Sequence, residues 1–172
     1  MSQDPPKTSR LPSEYWLLLG LGLGTSGLYY EAISVVAWYF FLRRFRPHAD
    51  RELLMVASGF IGLAAVRIAQ ILTSGDNLYR VTEHVIFSVA ALVLLFSQQR
   101  GLAWFLLGVS VLRALGWFLS AAFGLTKHAR AQFMLLAGLI DSLWVWLLAQ
   151  WLRRDHQRRK QAMNEAGPKA LQ

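Results

Sequence analysis

LAWFLLGVSVLRALGWFLSAAFG, residues 102–124, carries a single charged side chain, Arg113, in an otherwise apolar run. A helix needs about 20 apolar residues to cross a hydrocarbon layer ~30 Å thick. Lipid offers a backbone no hydrogen-bond partners, so a run of this length predicts a membrane-spanning helix. Working outward, similar runs cover Tyr15–Leu42, Leu53–Thr73, Val81–Ser97 and Gln132–Leu152, separated by short charged or Gly-containing turns. The first run, about 42 Å long as a helix, must tilt, kink or protrude. The third is short, and Asp76 as an N-cap extends it to include Tyr79 and Arg80. The expected fold is an all-α integral membrane protein, a bundle of five transmembrane helices. Residues 1–14 form a polar N-terminal segment, 15–152 the transmembrane domain and 153–172 a basic cytoplasmic tail.

Composition agrees with that reading. Of 172 residues, 55% are apolar or aromatic and only 16% are charged, which is unusual for a water-soluble domain. The sequence has no cysteine, so disulfides, thiol nucleophiles and thiolate metal sites are excluded. Its net charge of +8 is distributed at the ends of apolar runs, not along one polar face, which argues against nucleic acid as a partner. Lys and Arg number eleven on one side (Arg43, Arg44, Arg46, Arg51, Arg100 and six from Arg153 to Lys169) against five on the other (Lys7, Arg10, Arg80, Lys127, Arg130). By the positive-inside rule the N-terminus is outside and the C-terminus cytoplasmic. Tyr15, Trp16, Trp38, Tyr39, Trp104 and Trp151 fall near helix ends, as an interfacial aromatic belt requires. The five runs share no repeat, which weakens an inverted-repeat transporter reading.

Small and polar residues recur at helical spacing. They comprise Gly20, Gly24, Gly27, Glu31 and Ser34 in the first run, and Arg67, Gln70 and Ser74 in the second. His84, Ser88 and Ala91 align in the third, Arg113, Gly116, Ser120 and Gly124 in the fourth, and Ala137, Gly138 and Asp141 in the fifth. Small residues let helices approach closely in lipid. Counting from helix ends puts Arg113 and Asp141 at one depth, so an intramembrane cluster of Glu31, Arg113 and Asp141 is expected, with Glu31 as an alternative partner for Arg113. Nearer the outer side, Arg67, Gln70, Glu83 and His84 form a second group, expected to bring Arg67 toward Glu83 or His84. An imidazole beside a carboxylate suits proton sensing or binding of a small polar ligand. The same residues also serve as helix-registering ion pairs without any ligand.

Other motifs carry less. Gly20, Gly22 and Gly24 lack the strand and helix N-terminus of a phosphate cradle. Glu83 and His84 are adjacent, about 100° apart on a helix, and have no second ligand at metal-binding spacing. His48, His128 and His156 lie in turns or the tail, so a bis-histidine haem is not expected. Gly108-Val109-Ser110 lacks the flanking glycine of a nucleophile elbow. No cofactor or metal is expected. The layout of a long first helix, a basic loop, an apolar hairpin and a last helix ending in Arg153-Arg154 is similar to the membrane-embedded sensor portion of some bacterial signalling proteins. The first expectation is therefore a non-enzymatic sensory, regulatory or accessory membrane protein. Its partners would be the lipid bilayer and a second copy or another membrane protein. A small oligomeric channel or transporter comes next and an intramembrane enzyme third.

Overall fold

A computed structural model describes residues 29–74, 79–123 and 128–166. Five helices and no strand are found among them: α1 Tyr29–Phe45, α2 Arg51–Ser74, α3 Tyr79–Ser97, α4 Arg100–Ala122 and α5 His128–Ala166. Residues 1–28 lie outside the described set, and with them the polar segment, Tyr15, Trp16 and the glycines of the first run; so do Asp76 and Gly124.

Local chemistry explains the breaks. Pro47 biases Arg46 away from helical geometry, and α1 closes with Arg46 N donating to the Leu42 carbonyl at 2.9 Å. Between α3 and α4 only two residues turn the chain: Gln98 takes a left-handed φ of 52° and Gln99 is extended. α5 does not stop where the apolar residues stop. It spans 39 residues, about 58 Å at 1.5 Å per residue, and residues 153–166 continue it as a basic helix.

α2 is the centre of the bundle. It packs against α1, α3 and α5, while α4 packs against α5 and α3, so α2 to α5 form a closed ring with α1 laid on α2. Leu53, Leu54, Met55, Val56 and Ala57 are all buried. Five consecutive helical positions point round the whole circumference, so this part of α2 is enclosed on every side. Tyr39, Leu94, Leu95, Leu106, Trp144, Leu147, Leu148 and Trp151 complete the core. Tyr39 and Trp151 are therefore packed inside, whereas Trp104 is exposed; the sequence expectation of an aromatic belt holds them all at an interface.

Two glycines in α2 set the helix spacing. A Cβ at Gly62 would lie 2.7 Å from the backbone N and Cα of Val35, and one at Gly59 would lie 2.2 Å from the Trp144 ring. Close helix approach thus depends on Gly59 and Gly62. Gly116, expected on a packing face, is instead exposed and has open space around it.

Large apolar side chains also lie on the outside of the bundle. Phe40, Phe41 and Phe45 of α1, Ile86, Val89 and Phe96 of α3, and Trp104, Phe105, Leu112 and Leu119 of α4 are all exposed. Among the described residues, three helices, over Arg51–Leu72, Arg100–Ala122 and Met134–Asn164, are long and apolar enough to cross a membrane, and α3 holds a shorter apolar stretch, Val81–Ser97.

Candidate functional site: a polar layer and an ion-paired end

Each helix contributes at least one ionisable residue to a single level of the bundle, and α3 contributes two, Glu83 and His84. Counting from the end where α1 and α3 finish and α2 and α4 begin, Glu31, Arg67, Glu83 and Arg113 lie about 20–24 Å along their helices at 1.5 Å per residue. Asp141 lies about 21 Å from Asp155, which is paired with Arg100 at that end. The two groups read from the sequence at different depths are thus one layer.

Pairing within the layer is partly crossed relative to expectation. Arg67 Nη2 meets Glu31 Oε1 at 2.8 Å, and its Nη1 donates to Gln70 Oε1 at 2.8 Å. It does not pair with Glu83 or His84, because α1 packs directly on α2 and brings a carboxylate closer. Arg113 Nη1 instead meets Glu83 Oε1 at 2.9 Å, and Arg113 Nε meets Asp141 Oδ2 at 3.3 Å. Arg113 therefore bridges α3 and α5 from α4. Trp117 Nε1 donates to the same Asp141 oxygen at 3.0 Å, and the guanidinium sits 5.5 Å over the Phe87 ring.

Burial across this triad is uneven. The Asp141 side chain is 4% exposed and Arg113 17%, but Glu83 is 55% exposed, so the triad opens outward through Glu83. His84 Nδ1 is buried without a hydrogen-bond partner. Ser88 Oγ lies 2.8 Å from the Phe60 carbonyl and 2.6 Å from that of His84, tying α3 to α2 one turn below the imidazole.

The second cluster, at the basic end, was not singled out by sequence reasoning. Arg158 grips Asp50 with two hydrogen bonds, 2.8 and 3.1 Å, and Trp151 Nε1 donates to Asp50 at 2.9 Å. Arg154 pairs with Glu52, Arg100 with Asp155, and Arg159 with Asp155 one turn away at 3.2 Å. Two-point guanidinium contacts of this kind fix geometry as well as charge. Burial opposes the charge on Asp50, but the hydrogen bonds from Arg158 and Trp151, with the charges of Arg158 and Arg154, outweigh it and hold the carboxyl below its ordinary range. The signal was present in the sequence: Asp155 is an acid inside the basic run RRDHQRRK, one helical turn before Arg159.

Chemically, the layer offers paired charges, one unpaired imidazole nitrogen and an exposed carboxylate. Among the described residues no group of three His, Asp or Glu side chains is placed to hold a metal ion. Each acid of the layer is paired with a guanidinium. No protein-family model, curated protein or solved structure matches the chain.

Proposed function

We propose that the chain is a five-span membrane protein, N-terminus outside and C-terminus cytoplasmic, that works as a non-enzymatic sensory, regulatory or accessory subunit. The observation that carries this reading is the continuity of α5. One unbroken helix holds Asp141 in the polar layer and Trp151, Arg154, Asp155 and Arg158 in the cluster at the basic end. A helix packed on one side and ion-paired at both levels moves as a rod, so a change in the layer is delivered some 20 Å away. The apolar exterior supports immersion in lipid, and the Lys/Arg imbalance supports the orientation.

The test uses the absence of cysteine in the sequence, which makes single-site labelling clean. Cysteines introduced at the exposed His48 and Gln157 carry spin labels in lipid nanodiscs, and the distance between them is measured by pulsed EPR. Replacing both Arg113 and Asp141 with Leu is expected to shift or broaden that distance distribution. An unchanged distribution in a folded variant refutes the sensory reading. In proteoliposomes, ion flux above that of empty vesicles would overturn it in favour of a channel or transporter. Reaction of a cysteine at Gln157 with an impermeant thiol reagent only from the periplasmic or extracellular side would overturn the orientation.

A further inference from the structure

Charge counting in the layer gives an imbalance. Among the described residues, α1 supplies Glu31, α2 Arg67, α3 Glu83 and His84, α4 Arg113 and α5 Asp141. Glu31 and Arg67 neutralise each other at 2.8 Å. Among the described side chains, Arg113 faces two carboxyl groups, Glu83 at 2.9 Å and Asp141 at 3.3 Å. With both ionised, these three side chains carry a net negative charge, and the packed side chains around the buried Asp141 oppose its share of it. Two carboxylates held on one guanidinium oppose each other's ionisation, because the single positive charge has to serve both.

His84 is poorly placed to supply the missing positive charge. A protonated ring would leave an N–H at the buried Nδ1 with no acceptor. A metal ion is also badly served, since the described acids do not converge.

We propose that the Glu83–Arg113–Asp141 triad is a proton-binding site, taking up one proton on one of the two carboxyl groups that flank Arg113. This rests on the reading that the bundle spans a membrane with Glu83 toward its outer side, and it names the regulator of the polar layer. The exposed side of Glu83 is the door: the proton passes from its carboxyl oxygen to water, and no other bond is made or broken. Once it leaves, two carboxylates compete for one guanidinium. The Asp141 contact, already the longer of the two, is the one that loosens, and Asp141 belongs to α5. Protonation therefore fastens α5 to α4, and proton release frees it.

The experiment is infrared spectroscopy of the full chain in nanodiscs, reading the C=O stretch of protonated carboxyl groups between about pH 5 and 8. The wild type is expected to show such a band, and Glu83→Gln and Asp141→Asn are each expected to abolish it, because either leaves one carboxylate facing one guanidinium. Glu31→Gln is expected to retain it. Should Asp141→Asn fail to fold, Glu83→Gln at the exposed position carries the test. No band in the wild type, a band surviving Glu83→Gln, or a band lost only in Glu31→Gln overturns the proposal. The band reports protonation whether or not the basic end moves, so its failure is distinguishable from failure of the labelled-distance test.

Discussion

Removing Arg113 alone should damage the protein more than removing it together with Asp141. Arg113→Leu strips the guanidinium from Glu83 and Asp141 at once. Glu83 is more than half exposed and can turn outward, so its share of the cost is small. Asp141 is 4% exposed and cannot. Breaking a buried pair by deleting one partner costs about 3–5 kcal/mol. The Trp117 hydrogen bond at 3.0 Å still supports the Asp141 charge, so the low end, about 3 kcal/mol, applies. Arg113→Leu with Asp141→Leu leaves no buried charge unpaired and fills the space with apolar atoms, for a cost of roughly 1 kcal/mol or less. Reversible unfolding of the four proteins in mixed micelles with increasing SDS closes the double-mutant cycle. Asp141→Leu alone leaves Arg113 paired with Glu83 and should cost no more than the double variant, so a coupling energy of roughly 2–3 kcal/mol is expected, and a value below about 0.5 kcal/mol, the scatter of independent sites, would refute the argument.

Two further tests probe packing and pH. Gly62→Ala should push α1 off α2, because its Cβ meets the Val35 backbone at 2.7 Å, at a cost of about 1–3 kcal/mol in the same assay. Gly108→Ala, which has open space around it, should be neutral or stabilising by up to about 1 kcal/mol through helix propensity. Equal losses at both positions would discredit the close approach of α1 and α2. Asp50, whose carboxyl is held low in the folded chain, stabilises the basic end above the ordinary aspartate range near pH 4, and that contribution disappears as pH falls through its lower folded value. Asp50→Asn should therefore lose stability at neutral pH and flatten the acid limb of the stability curve; an unaltered limb would show that the carboxyl is not what the acid titrates.

The helices were legible because length and apolar composition are one-dimensional properties. Arg113 and Asp141 could be set at one depth by counting from helix ends, and the structure brings them to 3.3 Å. Partner choice was not legible in the same way. Arg67 goes to Glu31 and Glu83 to Arg113 because α1 lies on α2 and α4 lies between α3 and α5, and sequence spacing says nothing of which helices touch. Gly62 was missed because its role is set by the Val35 backbone on another helix. The extension of α5 did leave a trace. Residues 153–166 are mostly good helix formers, without proline or glycine until Gly167-Pro168. Reading charge as a sign of a tail concealed it.

The unbroken course of α5 also puts its two anchor points in angular phase. Asp141 must face Arg113 while Asp50 and Glu52 receive Arg158 and Arg154, and each residue added between them would rotate one set against the other by about 100° and displace it by 1.5 Å. An insertion of one residue between Ser142 and Gln150 can satisfy either anchor but never both. An insertion of seven restores the rotation to within about 20°, yet lengthens the rod by roughly 10 Å and lifts the basic arginines clear of their acids. The segment therefore tolerates exchange of side chains far better than any change in their number.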